Sequence, residues 1–70
     1  QFAEAEKHLR TAVEKQPSTQ AYTGLGIVQQ QQGKSDAAAA SLRAAIELDP
    51  DNAAAQSELA AVLASLGRTE

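Results

Sequence analysis

The stretch YTGLGIVQQQQGKSDAAAASLRAAIELDP, Tyr22 to Pro50, decides the fold. It opens with Tyr22-x2-Leu25-Gly26, breaks at Gly33, and resumes as Ala38-x3-Leu42-x2-Ala45-x4-Pro50. Tyr22, Leu25, Val28, Gln29 and Gln32 fall on one face of a helix, and Gln20, Thr23, Gly24, Ile27, Gln30 and Gln31 on another. Gly33 is placed to stop that helix, because a left-handed residue there satisfies the last carbonyls. Ser35 and Asp36 offer a cap and a negative charge to the next helix, expected over residues 36–48 with Ala38, Leu42, Ala45 and Ile46 buried. Asp49-Pro50 ends it. The stretch is one helix-turn-helix unit.

On the N-terminal side, Phe2, Ala5, Leu9, Ala12 and Val13 recur at three- and four-residue spacing and predict a helix over residues 1–16. Glu6, Lys7, Arg10, Glu14 and Lys15 are assigned to its polar face, with Glu6 and Arg10 in the favourable i,i+4 order. Pro17 stops this helix, and Ser18 or Thr19 caps the one that follows over residues 19–32. Gly26 is the natural point of helix contact, whereas Gly24 has no such explanation from sequence. The glutamine run 29–32 reads as helix surface. On the C-terminal side Asp51 or Asn52 caps a fourth helix, apolar at Leu59, Ala60, Val62, Leu63 and Leu66 and stopped by Gly67.

These flanks repeat the centre. At an offset of 33, Ala5, Leu9, Arg10, Ala12, Val13, Glu14 and Pro17 map to Ala38, Leu42, Arg43, Ala45, Ile46, Glu47 and Pro50. At an offset of 34, Ala21, Leu25, Gly26, Val28, Gly33 and Lys34 map to Ala55, Leu59, Ala60, Val62, Gly67 and Arg68. Self-similarity at this period, with two helices per period, predicts an all-α fold: an α-solenoid of four antiparallel helices.

The composition agrees. Of the 70 residues, 16 are alanine and only 14 are large and apolar, which suits thin layers of closely packed helices. A core of this size contributes only roughly 3–5 kcal/mol net. There is no cysteine for a disulfide or thiolate site, and one histidine, His8, cannot assemble a zinc site. No cofactor and no metal are therefore expected. Net charge is −3, and the six basic residues are scattered, which argues against nucleic acid. With one Phe and one Tyr there is no stacking platform for bases. No apolar run is long enough for membrane insertion. Localisation stays open, since an absence of cysteine suits cytoplasm and periplasm alike.

Catalytic chemistry finds no support. His8 lies on a polar helix face. Asp49, Asp51 and Asn52 resemble the start of a calcium loop but lack its glycine and its distant glutamate, so helix capping explains them. No serine has a histidine or a nucleophile elbow at hand. Gly24-Leu25-Gly26 lacks the third glycine of a dinucleotide fingerprint. The chain is not expected to be an enzyme.

The matching positions Tyr22, Leu25, Gly26, Ala38, Ala45 and Pro50 resemble the tetratricopeptide repeat family, whose pattern is aromatic-x2-Leu-Gly-x2-Tyr, a glycine turn, and Ala-x3-Phe-x2-Ala-x4-Pro. Leu42 stands for the aromatic, and Gln29 replaces the tyrosine, so that contact is lost or polar. The resemblance implies residues 1–17 as the second helix of a preceding repeat, 18–50 as a complete repeat and 51–70 as the first helix of a following one. It also implies a protein or peptide partner in a concave groove lined by Gln20, Thr23, Gly24, Ile27, Gln30, Gln31, Ala54, Ser57, Glu58, Ala61 and Ala64. Family members that clamp acidic tails use Lys, Arg and Asn there; this face has none, and Glu58 repels a carboxylate. The alternative role is structural. Apolar stripes of Phe2, Leu9 and Val13 at one end and Leu59, Val62, Leu63 and Leu66 at the other are then expected to drive self-association of the isolated fragment into a homo-oligomer, with the last helix of one copy head-to-tail against the first of another.

Overall fold

Four helices account for nearly all of the computed structural model, which describes residues 2–67 (backbone alone at residue 2). They are α1 (Phe2–Lys15), α2 (Thr19–Gln31), α3 (Ser35–Leu48) and α4 (Ala53–Ser65). Neighbours in sequence pack together, and α2 also meets α4; Thr19 against Ala45 and Gln30 against Ser35 set α2 and α3 antiparallel. The Cα extents are 32 × 27 × 14 Å, so the short axis holds only two layers of helix.

The boundaries follow from local chemistry. Ser18 is extended (φ −147°, ψ 153°), and its side chain accepts from the Ala21 amide, so Ser18 is the cap of α2. Thr19 is freed for a tertiary role: its Oγ1 donates to the Ala45 carbonyl of α3 at 3.2 Å. At the other end Gly33 takes φ +82°, the Lys34 amide bonds back to Gln29 O at 2.8 Å, and the Gly33 amide bonds to Gln30 O at 3.0 Å. That pair of bonds is the Schellman closure, which needs the left-handed residue that glycine supplies. Asn52 caps α4 through Oδ1 on the Ala55 amide at 2.9 Å.

One expected cap is absent. Helix α3 starts at Ser35, its cap position is Lys34, and no side chain caps it. The Ser35 hydroxyl instead donates to Gln30 Oε1, while Asp36 sits in the first turn beside the positive helix end.

The core is small and alanine-rich. Leu42, Ala38, Ala45 and Ala55 are fully buried, with Ala39, Val62, Leu25 and Val13 close behind. Leu59 of α4 and Leu66 just past its end pack against the Leu42–Val62 cluster. Ile46, expected inside, is only half-buried, and Ala60 is exposed. Gly26 sets the distance between α2 and α3: a Cβ there would lie 2.7 Å from Leu42 Cγ and 3.3 Å from the Ala38 carbonyl oxygen. The Leu42 branch point cannot swing away as a chain end would, so the two helices meet at this spacing only because residue 26 has no side chain.

Gly26→Ala therefore sets better helix propensity, about 1 kcal/mol, against overpacking at about 1–3 kcal/mol. The expected result is net destabilisation in urea unfolding, opposite in sign to Gly→Ala in an exposed helix. A variant more stable than the parent would show that the helices can part at no cost.

Candidate protein-interaction site

The surface that α2 and α4 share arises because both helices pack on α3 and meet each other, with their C-terminal ends side by side as in parallel neighbours. Near their C-terminal ends Gln30 Nε2 donates to Ser65 Oγ at 3.2 Å, and Gln30 Oε1 accepts from Ser35 at 3.0 Å. Gln30 thus joins three helices. Its amide retains one N–H and one lone pair for anything else.

The expected groove residues divide into two sets. Gln20 and Gln31 of α2 and Ala54, Ser57, Ala61 and Ala64 of α4 are exposed, while Ile27 and Glu58 are half-buried. Thr23 and Gly24 face inward to a greater degree than spacing suggests. The Thr23 hydroxyl is buried without a hydrogen-bond partner, so it offers nothing to a visiting chain. Gly24 lies under Leu9, whose Cδ2 would be 3.4 Å from an added Cβ, so its small size serves the α1–α2 contact.

Of the stripes expected to drive self-association, two residues are buried by the fold and the other described ones are half-buried. Val62 is 1% exposed and Val13 is 8% exposed, both turned into the chain's own core. Leu59 and Leu66 are partly covered by it, Leu63 is half-buried, and Leu9 packs against Gly24. The Phe2 side chain lies outside the described residues.

Behind the α2–α4 surface is a polar cluster that sequence reasoning placed in solvent. Glu6 is 6% exposed. Its Oε1 accepts from Gln32 Nε2 at 2.9 Å and Lys34 Nζ at 3.0 Å. Its Oε2 accepts from Arg10 at 2.5 Å and from Gln29 Nε2 at 3.3 Å. Gln29, also buried, accepts from Ser41 at 2.6 Å, so one chain of bonds runs from α1 through α2 to α3. The position that carries tyrosine in the family pattern is here the middle link of a polar lock. The glutamine run is likewise not plain helix surface: Gln29, Gln30 and Gln32 are bonded to other helices and Gln31 alone of the four is exposed. The repeat alignment held the missed signal, since an offset of 33 sets Glu6 against Ala39, an inner position.

Hydrogen bonds from Gln32, Lys34 and Gln29 to the ionised form hold the Glu6 carboxyl at about 2, outweighing the opposing effect of burial. A shallow recess of about 190 Å³ lies over it, lined by Ala3, Glu6, Lys7, Arg10 and Lys34. Arg10 and Lys34 already pair with Glu6, which makes the recess an internal ion-pair cluster.

Among the described residues no group of His, Asp and Glu is placed to hold a metal ion, and no helix is long and apolar enough to cross a membrane. A family model described as TPR repeat matches residues 30–67, more than half of the chain. The chain belongs to the tetratricopeptide repeat family. No curated protein and no solved structure matches it. The TPR family consists in general of protein–protein interaction scaffolds and is typically non-enzymatic, so protein partners are the general expectation for this repeat.

The Glu6 lock has a defined pH signature. A carboxyl at about 2 in the folded chain and 4.5 in its ordinary state contributes stability above pH 4.5 that is lost as pH falls towards 2. Glu6→Gln is expected to be less stable than the parent at neutral pH, with the gap closing across that acid window in urea titrations. A gap that stays constant down to pH 2 would remove the ionised lock from the account.

Proposed function

We propose that this TPR chain is a non-catalytic recognition segment that binds a polypeptide along the surface shared by α2 and α4. The division into residues 1–17, 18–50 and 51–70 underlies the reading, since it makes α2 and α4 the first helices of successive repeats. The observation that carries it is the pairing of these two parallel helices, fixed at one end by the Gln30–Ser65 bond. Their common surface has small, exposed residues on α4 and longer amides on α2. A rigid element whose outward side chains are short admits a chain closely, and exposed Gln20 and Gln31 supply donors and acceptors for its backbone. Glu58 is the one charged residue among these positions, so the preferred segment is uncharged or basic.

Gln30 is a poor place to probe this surface, because changing it also breaks contacts to Ser35 and Ser65. Ala61→Arg together with Gln31→Arg alters exposed positions alone. Peptides selected from a random library on the parent chain are expected to bind this double variant at least about tenfold more weakly, about 1.4 kcal/mol. Helix content should be unchanged by circular dichroism. Peptides that bind both proteins equally would move recognition off this surface.

A further inference from the structure

The six basic residues are scattered in sequence, but the fold collects three of them. Lys7 and Arg10 lie three residues apart on α1, hence on one side of that helix, and Lys34 joins them from the turn between α2 and α3. With Ala3 and Glu6 they line the recess of about 190 Å³. Three cations against one carboxylate leave its lining two positive charges, whereas the chain as a whole carries −3. No lining residue belongs to α2 or α4, so the recess is separate from the surface those helices share.

The internal ion pairs set the geometry of this cluster without exhausting it. The Glu6 side chain is 8% exposed and forms the floor, while those of Arg10 and Lys34 are 58% and 52% exposed. Arg10 meets Oε2 at 2.5 Å and Lys34 meets Oε1 at 3.0 Å, so one carboxylate holds both head groups together against their mutual repulsion. Each cation uses one donor on Glu6 and keeps its others. Gln29 and Gln32 also donate to Glu6, which keeps the carboxylate from turning outward to meet an anion. Lys7 is exposed and takes part in neither ion pair. Two long side chains are therefore restricted before anything binds, which lowers the entropic cost of a further contact.

From this arrangement we propose that the recess over Glu6 binds a phosphoryl group carried on a partner polypeptide, as phosphoserine or phosphothreonine. Such a group carries about −1.5 to −2 charge and three strong acceptor oxygens, which matches two uncompensated charges presented by three donor heads. A carboxylate would leave one of those charges unmatched. A nucleic-acid strand fits less well, because a run of phosphates needs a continuous basic track. Here Glu4 precedes Lys7 by three residues and Asp36 follows Lys34 by two, so acidic residues flank the basic set on both segments.

The test selects binders to the parent chain from a peptide library with phosphoserine fixed at the centre and random neighbours. Each selected peptide is then measured again with serine in its place. Loss of the phosphoryl group is expected to weaken binding at least about tenfold. Lys7→Glu is expected to weaken the phosphopeptide by a similar factor, whereas Lys15→Glu, the same charge change on α1 outside the recess, alters it by less than about twofold. Lys7→Arg is expected to retain binding. Inorganic phosphate and single-stranded oligothymidylate are expected to compete only far above the concentration of the peptide. Equal binding of the serine and phosphoserine forms, or a library with no phosphate-dependent binder, overturns the proposal. Equal weakening by Lys7→Glu and Lys15→Glu reduces the effect to net charge and overturns it too. So does competition by inorganic phosphate or oligothymidylate at the peptide's own concentration, which assigns the recess to the free ion or to nucleic acid. Should Lys7→Glu lose helix content by circular dichroism, Lys7→Gln against Lys15→Gln gives the same comparison.

Discussion

The approach of α2 to α3 at Gly26 is the constraint on which the rest depends. With so few large apolar residues, the chain cannot fill a wide interhelical gap, and it gains density by bringing backbones close. Leu42 enters the space left at residue 26 and is fully buried between α2 and α4. Through Leu42 the spacing of the first pair is passed on to the second, since Leu42 and Val62 share one buried cluster, against which Leu59 and Leu66 pack. The parallel placement of α2 and α4, and the surface they share, follow from that.

A thin apolar core leaves helix register weakly specified, because alanine fits almost anywhere along an alanine-rich face. The bonds from Glu6 to Gln29, and from Ser41 to the same glutamine, are directional where the alanines are not. Each requires its partner at one height along the helix. A buried carboxylate is costly unless its oxygens are occupied, and here both accept two bonds each. The cluster thus acts on specificity of packing, and it ties α1 to the turn that carries Gly33.

Helix positions were legible in the sequence because they rest on short-range signals. Pro17, Gly33, Pro50 and Gly67 stop helices by local backbone chemistry, and the observed ends lie within about a residue or two of the expected ones. Ser18 and Asn52 were each named as one of two possible caps, and neighbouring residues alone could not choose. Thr19 was free to turn to Ala45 only because α3 stands beside it. Glu6 was misplaced for a related reason: it follows the polar spacing of its own helix and is buried by residues 23 to 28 positions away.

By itself, then, the sequence determined the helices, their stops and the 33–34-residue period that places the chain in the TPR family. The helices and their stops are set by propensity, capping and periodicity within a dozen residues, and the period is read by comparing the chain with itself. Only the tertiary structure decided which residues remain outside. It buried Val13, Val62, Glu6 and Gln29, turned Gly24 against Leu9, engaged Gln30 with Ser35 and Ser65, and left Ala60 exposed on α4. The reason is physical: periodicity fixes the angular position of a side chain about its own helix axis. Burial depends on which neighbouring helix stands at that angle and how near it can come.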